Sequence, residues 1–197
     1  MPSATYDRIA LHYDWGMRWL ERWFLAGLRR KAFDELPANS RILEIGAGTG
    51  ANFRYYQSEA FGVATELSTE MIRMAASKSR PQTLALIQNC AEAIPFADAS
   101  FDAALATLVF CSLESPQRAL TELKRVLKPG GTLVLIEHVR PPGLLGYVFD
   151  VLNRITVPLF EDHLNRRTAE TVRGAGFELR RVERRVAGII NLITCIR

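Results

Sequence analysis

Short apolar runs alternate along this chain with longer segments of helical periodicity. The runs are rich in leucine and β-branched residues, as buried strands are, and they cover residues 41–45, 61–65, 83–87, 102–108, 132–136, 177–183 and 189–196. Helical patterns lie between them at 68–79, 115–127 and about 163–175. This alternation predicts an α/β fold of the Rossmann-like kind, with a seven-stranded, mostly parallel sheet and helices on both faces.

One helix has clear end signals in the sequence. Ser115 is a good N-cap residue, and Pro116 after it suits the first helical position. Pro129, Gly130 and Gly131 cannot continue the helix and predict a turn into the next strand. The pattern therefore predicts a helix over 115–127 that leads directly into a strand.

The chain length and the absence of linkers predict one domain over residues 1–197. An aromatic and arginine-rich segment at 1–36 predicts an N-terminal helical cap. An apolar segment at 141–162, after the fifth strand, predicts a lid over the substrate. We find no internal repeat or low-complexity tract.

Composition narrows the class of protein. Apolar residues make up 48% of the chain and charged residues 23%, as in an ordinary soluble domain. Cys90, Cys111 and Cys195 are far apart in sequence and show no metal-binding spacing, so we expect a reducing compartment and no metal. Neither a signal peptide nor an apolar run of about 20 residues is visible. These features predict a cytoplasmic protein.

The stretch "RILEIGAGTGANF", residues 41–53, carries the strongest sign of a ligand. A strand ends at Gly46, and Gly48 and Gly50 allow backbone to approach a ligand closely. Glu66 ends the next strand, where an acidic side chain can bind ribose hydroxyls. The pattern predicts an adenosine-bearing cofactor. Because Gly46, Gly48 and Ala51 also fit the dinucleotide fingerprint, the glycines alone leave the cofactor open.

Three segments together resemble class I S-adenosylmethionine-dependent methyltransferases: "LEIGAGTG", "AEAIPFADASFDAALA" at 91–106, and "ALTELKRVLKPGGTLVLIE" at 119–137. The resemblance implies that S-adenosylmethionine is the cofactor. It implies that the glycine loop lines the methionine and sugar portion, that Glu44 lies near the ammonium group, and that Glu66 holds the ribose. The residues implied at the cofactor are Tyr13, Glu44, Gly46, Ala47, Gly48, Gly50, Glu66, Leu67, Met71, Asn89, Cys90, Ala91, Glu92, Thr107 and Leu108.

Methyl transfer needs a general base only when the acceptor must lose a proton. His138 follows the fifth strand, where folds of this kind place reactive groups, and it is our candidate for the base. Strand alternation points its neighbour Glu137 the opposite way. A structural role for His138 is the alternative.

The N-terminal segment suggests contact with a membrane. Trp15, Trp19 and Trp23 recur every four residues and form one stripe of a helix, and a second stripe beside it contains Arg18, Arg22 and Arg29. Aromatic residues flanked by arginine are typical of helices at a membrane interface. Alternatively, the tryptophans pack on the sheet edge and cover the cofactor.

Both ends of the chain favour an apolar or amphiphilic acceptor, and further resemblances point the same way. "YDRIALHYD" is similar to the start of quinone C-methyltransferases and phosphatidylethanolamine N-methyltransferases, and "IEHVRP" and "HLNRRTAETVRGAGF" to thiol methyltransferases. We expect a phospholipid amine first, and a small thiol or a quinone precursor as alternatives. A non-catalytic, cofactor-binding protein that contacts nucleic acid is a remote third reading. The candidate substrate residues are His138, Arg140, Asn165 and Arg166.

Overall fold

The computed structural model describes residues 2–160 and 162–197, so Met1 of the predicted cap and Glu161 of the predicted lid lie outside the described residues. The strands are β1 (Arg41–Ile45), β2 (Phe61–Glu66), β3 (Leu84–Gln88), β4 (Phe101–Thr107), β5 (Leu127–His138), β6 (Glu178–Arg185) and β7 (Ile190–Ile196). The α-helices are α1 (Pro2–Leu20), α2 (Ala26–Asp34), α3 (Thr69–Ala76), α4 (Pro116–Val126), α5 (Leu144–Phe160) and α6 (Thr168–Gly174).

The seven strands form one sheet in the order β3-β2-β1-β4-β5-β7-β6. Strands β1 to β5 run parallel to one another, and β7 is antiparallel to both of its neighbours. The strand order reverses between β1 and β4. In parallel sheets, ligands bind beyond the carboxyl ends of the strands at such a reversal.

Strand alternation divides the core between the two faces of the sheet. Leu105 and Val134 pack with α2 on one face, whereas Ala104 and Leu133 pack with α4 and α6 on the other. All four side chains are fully buried. The predicted mostly parallel sheet with helices on both faces is confirmed.

The start of α4 follows the predicted signals, but Pro129, Gly130 and Gly131 lie within β5 and do not form the predicted turn, because β5 begins directly after α4 at Leu127. Ser115 accepts a hydrogen bond from the backbone of Arg118, and Pro116 is the first residue of α4. The last helix is shorter than predicted, because α6 begins only at Thr168. The backbone amide of Arg140 donates to the carbonyl of Arg166 at 2.9 Å, which ties the residues just before α6 to the residues just after β5.

A π-helical segment, Glu21–Leu25, interrupts the N-terminal helix between α1 and α2. A π turn contains one residue more than an α turn, so the residues after it face a different direction from those before it. Arg18 and Arg22 are exposed, but Arg29 is buried. Arg29 therefore does not belong to the predicted stripe of exposed arginines.

Candidate active site

A cavity of about 380 Å³ lies at the carboxyl ends of β1, β2 and β4, covered by α1. Its volume falls in the range of small-molecule sites. It is lined by Tyr6, Tyr13, Arg29, Gly46, Ala47, Gly48, Thr49, Ala51, Asn52, Glu66, Leu67, Ser68, Met71, Asn89, Cys90, Ala91, Glu92, Thr107, Leu108, Val109, Ser112, Leu113 and Glu114. The glycine loop and Glu66 thus lie in one site, as their positions in sequence predicted.

The glycine loop leaves open space for a ligand. Gly46 and Gly48 have φ angles of 63° and 56°, which favour glycine. A Cβ at Gly46 would collide with Val109, whereas a Cβ at Gly48 would meet no protein atom within 4 Å. Gly48 therefore keeps its backbone open to the cavity, and a ligand can lie directly against it.

Glu66 is held against the loop by backbone amides. One carboxylate oxygen accepts a hydrogen bond from the backbone amide of Gly48 at 2.8 Å. The other accepts hydrogen bonds from the backbone amides of Leu67 and Ser68 at 2.9 Å each. Burial raises the pKa of Glu66, although these amides oppose the rise. The side chain is fixed at the cavity wall, and the oxygen that binds Gly48 keeps one lone pair that can accept from a hydroxyl group.

The wall beyond Glu66 forms an apolar slot with polar backbone at its edge. Leu67 and Met71 line it, and Met71 is 1% exposed. The side-chain amide of Asn89 donates a hydrogen bond to the carbonyl of Cys90 at 2.7 Å. Glu92 accepts from the backbone of Ser115 at 2.8 Å. The slot suits a flat aromatic base, with backbone groups of this loop as its polar partners.

A buried carboxylate lies behind the end of the cavity that Leu108 and Val109 line, which we call the acceptor end. Glu137 is fully buried and accepts from the amides of Val109 at 2.9 Å and Phe110 at 3.1 Å. Burial raises its pKa to about 7. The loop that it holds includes Leu108, which has a left-handed φ of 56° and lines the cavity. Glu137 therefore sets the backbone where an acceptor would meet the cofactor.

Comparison with known proteins shows the family of the chain. A family profile described as a methyltransferase domain matches residues 43–135. The chain is 35% identical over 166 residues to the ubiquinone/menaquinone biosynthesis C-methyltransferase UbiE of Syntrophotalea carbinolica, covering 78% of this chain and 68% of that protein. The chain belongs to the class I S-adenosylmethionine-dependent methyltransferases. S-adenosylmethionine is its cofactor, as predicted.

Other relatives share the family but differ in length and acceptor. The chain is 32% identical over 146 residues to the rat thiol S-methyltransferase TMT1B, covering 69% of this chain and 59% of that protein. It also spans only 59% of a demethylmenaquinone methyltransferase from Renibacterium salmoninarum. A Haloferax volcanii putative methyltransferase, solved with its Trm112 activator, has the same fold. Its TM-score is 0.78 at 19% identity, with 97% of this chain and 96% of that chain covered.

The residues present fit S-adenosylmethionine. The open backbone at Gly48, the fixed carboxylate of Glu66 and the slot at Met71 can take its sugar and base. When bound, this cofactor supplies a methyl group already activated on a sulfonium. The methyltransferase itself must hold the acceptor in line and remove its proton where one is lost.

All the predicted cofactor residues except Glu44 and Gly50 line the cavity. Glu44 is fully buried and accepts from Asn52 and the hydroxyl of Tyr56, each at 2.8 Å. Burial raises its pKa, against these two hydrogen bonds. Glu44 does not line the cavity itself, whereas Asn52, which donates to it, does, and the contact of Glu44 with the ammonium group stays a prediction. A Cβ at Gly50 would lie 2.7 Å from the ring of Phe53, so Gly50 serves packing.

The four predicted substrate residues do not line the cavity. Arg140 pairs with Asp150 at 2.8 Å, and Asn165 donates to the same carboxylate at 3.3 Å. These contacts use the groups that were expected to bind an acceptor. Arg166 donates to the carbonyl of Leu113 at 2.7 Å, and Leu113 does line the cavity. Arg166 thus supports the cavity wall from behind.

His138 lies beside the acceptor end and not in its wall. Its Nε2 is 3.0 Å from Asp162, and its Nδ1 is buried without a partner among the described residues. Burial would lower the pKa of His138, but the hydrogen bond and charge of Asp162 outweigh it and raise that pKa. Within residues 2–160 and 162–197, His138, Asp162 and Cys111 form the grouping that could ligate a metal, with ligand atoms within 4.8 Å of one another.

Helix α1 supplies cavity residues that sequence reasoning missed. Its inner face contributes Tyr6 beside the predicted Tyr13, with their rings edge to face at 6.4 Å. Asp7 accepts from Ser68 at 2.5 Å, and Asp14 accepts from Thr49 at 2.5 Å and pairs with Lys78 at 2.7 Å. The aspartates at a seven-residue spacing were the available signal, since that spacing places both on one side of a helix.

Proposed function

We propose that this methyltransferase acts on a small apolar or amphiphilic acceptor that it takes from a lipid surface. The observation that carries the proposal is the two-sided character of α1. Tyr6 and Tyr13 on its inner side line the cavity. On its outer side, Trp15 and Trp19 are 74% and 65% exposed. A surface that binds the outer side is therefore separated from the cavity by the thickness of one helix.

The outer stripe has the composition of an interfacial helix. Leu11, Trp15, Trp19 and Trp23 follow one another at four-residue spacing, and all are at least 65% exposed. Arg18 and Arg22 are exposed beside them, and the guanidinium of Arg22 lies 5.9 Å from the ring of Trp23. Tryptophan can enter the head-group region while arginine contacts lipid phosphate.

Helix α5 adds a second exposed apolar face. The exposed side chains are Leu144, Leu145, Tyr147, Val148, Val151, Leu152, Ile155 and Leu159. The hydroxyl of Thr156 in the same helix donates to the backbone of Asp162, next to His138. None of the described helices is long and apolar enough to cross a bilayer. We propose peripheral contact, in which α5 and the α1 stripe both touch lipid.

The acceptor that we favour is an aromatic, quinol-type ring that carries an apolar tail. Tyr6, Tyr13, Leu108, Val109 and Leu113 give the acceptor end an aromatic and aliphatic wall. Relatives named as quinone-precursor methyltransferases support this acceptor class. An apolar thiol is the second candidate, because of the likeness to the rat thiol S-methyltransferase. The phospholipid amine that the ends of the sequence suggested has no such support among these relatives.

We propose that His138, oriented by Asp162, accepts the proton that the acceptor loses. Burial raises the pKa of Tyr13, and the charge of Asp162 adds a smaller rise. Burial raises the pKa of Tyr6 as well, with a smaller rise from Asp162. Both tyrosines therefore stay neutral and provide hydrogen bonds and ring surface rather than a base.

The direct test is transfer of a labelled methyl group from S-adenosylmethionine to three acceptors offered in liposomes. These are a prenylated naphthoquinol that lacks its ring methyl, a long-chain alkane thiol, and phosphatidylethanolamine. We expect label in the quinol first and the thiol second. A Gly48→Leu variant, which fills the open backbone cradle, is the inactive control.

Two results would count against the proposal. One is label only in phosphatidylethanolamine, which would restore the lipid amine as the acceptor. The other is transfer to a short water-soluble thiol at the same rate as to the quinol, with no increase when liposomes are added. That result would mean that the α1 stripe covers the cavity and does not bind lipid. Calorimetric binding of S-adenosylmethionine confirms in each case that the cofactor site is intact.

A further inference from the structure

Three groups that commonly bind transition metals meet beside the acceptor end of the cavity. The thiol of Cys111 follows β4, the imidazole of His138 ends β5, and the carboxylate of Asp162 follows α5. Their ligand atoms all lie within 4.8 Å of one another. No spacing pattern in the sequence indicates this cluster, because its members come from three separate segments that only the fold brings together.

Hydrogen bonds hold the three segments in place. The backbone amide of His163 donates to the carbonyl of Cys111 at 2.9 Å, which fixes the neighbouring Asp162 beside Cys111. The Nε2 of His138 lies 3.0 Å from the carboxylate of Asp162. Cys111 is buried, and His138 and Asp162 are half-buried. The protein therefore presents the three groups together before any ligand binds.

Two buried polar atoms at the cluster have no partner in the described part of the chain. Glu137 binds the amides of Val109 and Phe110, just before Cys111, through one oxygen only. Its other oxygen, Oε2, and the Nδ1 of His138 are buried without a hydrogen bond among residues 2–160 and 162–197. Buried polar atoms without a partner are rare, and they are expected where a water, an ion or a catalytic role supplies it.

The charges around the cluster favour a cation. Glu137 and Asp162 can both carry negative charge, and Cys111 becomes a third anion when it binds a metal. Arg166 is close enough for all three charges to act on it, but its Nη2 donates to the carbonyl of Leu113, and it forms no ion pair with them among the described residues. A divalent cation would offset negative charge that the protein compensates only in part.

We propose that Cys111, His138 and Asp162 bind one zinc ion and that the bound ion inhibits methyl transfer. Zinc accepts thiolate, imidazole and carboxylate ligands at about 2.0–2.3 Å in tetrahedral geometry, whereas magnesium and calcium prefer oxygen ligands alone. Such bonds place the ligand atoms roughly 3.3–3.7 Å apart, so side-chain shifts of about 1 Å complete the site. When the ion binds, a zinc–sulfur bond replaces the S–H bond of Cys111, and the proton leaves to solvent.

Zinc and the proton from the acceptor compete for the imidazole of His138. The Nε2 faces Asp162 and is therefore the nitrogen within the cluster. A neutral imidazole that binds zinc through Nε2 carries its proton on Nδ1, so neither nitrogen can accept another proton. The metal-free protein is the active form. Inhibition therefore rests on the proposed function, whereas the zinc site itself does not.

Calorimetry of the full chain with zinc chloride, with the thiols kept reduced, tests the site. We expect one zinc ion per protein. Cys111→Ser should weaken the Kd for zinc at least ~100-fold, because losing a residue that only supports a metal ligand already costs about 10–100-fold. Cys90→Ser removes a free thiol outside the cluster and should keep the wild-type Kd. Cobalt in place of zinc should show a sulfur-to-metal charge-transfer absorption that Cys111→Ser abolishes.

Zinc binding at wild-type strength in Cys111→Ser, or a cobalt complex without the sulfur absorption, would overturn the site. Cys111→Ala, which keeps an uncharged small side chain in this buried position, replaces Cys111→Ser if that variant unfolds. A wild-type protein that binds no zinc at micromolar concentration would overturn it as well.

The effect on turnover is measured with the quinol acceptor, since a thiol acceptor would itself bind zinc. One equivalent of zinc should lower the wild-type rate at least ~10-fold, because a general base contributes about 10²–10⁴-fold, and a chelator should restore the rate. In Cys111→Ser the ratio of the rates with and without zinc should be close to one. Stoichiometric binding with full turnover would keep the zinc site, overturn the inhibition and contradict the role of His138 in the proposed reaction.

Discussion

At the scale of single residues, buried carboxylates organise the acceptor end. Glu137 holds two loop amides and is fully buried, so burial raises its pKa to about 7. Burial raises the pKa of Asp162, but the hydrogen bond and the charge of His138, together with smaller effects of Cys111 and His163, lower that pKa below its usual value. Asp162 therefore remains charged near neutral pH and keeps His138 basic.

The pH dependence of the rate tests this pair. A base must be neutral to accept a proton, so we expect kcat/KM of the wild type to rise with pH through the raised pKa of His138, above 6.5. Asp162→Asn removes the charge that raises this pKa, so the rising limb should move to lower pH. Profiles from pH 5.5 to 9 would show the shift.

Asp150→Asn is the matched control, since Asp150 pairs with Arg140 outside the cavity wall. It should leave the rising limb where the wild type has it. An Asp162→Asn profile that coincides with that of the wild type would remove His138 from the proton transfer.

At the scale of secondary structure, the N-terminal helix joins two surfaces. Asp7 and Asp14 attach α1 to α3 and to the glycine loop, which brings Tyr6 and Tyr13 over the cavity. The opposite side carries the tryptophan stripe. Because Trp15 and Trp19 lie on the same helix as these attachments, we propose that contact at the outer side changes how firmly the cavity is covered.

Replacing the three tryptophans by serine tests the outer side. Each ring is at least 65% exposed, so the substitutions should leave the fold intact. Loss of three interfacial aromatic side chains should weaken binding to anionic liposomes at least ~10-fold, since burying one apolar side chain is worth about 1.5–3 kcal/mol. Co-sedimentation with vesicles measures the change.

Phe61→Ser offers a comparison, because Phe61 is 38% exposed in β2 and outside both exposed apolar faces. Its vesicle binding should equal that of the wild type. If the triple tryptophan variant also sediments as the wild type does, lipid contact through α1 is wrong.

At the scale of the whole molecule, the central strands support the site. Strand β4 lies between β1 and β5 and ends at Thr107, which lines the cavity together with the next residue, Leu108. Leu105 within it is fully buried and packs with α2, which carries Arg29. The packing of the sheet therefore fixes the position of residues at both ends of the cavity.

Leu105→Ala should destabilise the protein by about 2–5 kcal/mol, through lost burial and the cavity left in the core. Thermal and denaturant unfolding measure the loss. Leu144→Ala, at a side chain that is 85% exposed, should change the stability by no more than about 0.5 kcal/mol. Equal stability of the two variants would contradict the assignment of the core to this strand.

The sequence alone determined the strands and most helices, the glycine loop, Glu66 and the class of cofactor. These features are local, because a short run of residues sets periodicity, capping and a turn with positive φ. The tertiary structure alone decided three others. The π-helical segment turned Arg29 into the cavity, Asn52 and Tyr56 enclosed Glu44, and the segment after α5 brought Asp162 to His138. These contacts join residues 8, 12 or 24 positions apart or depend on one extra residue in a helical turn, and neither leaves a periodic signal in the sequence.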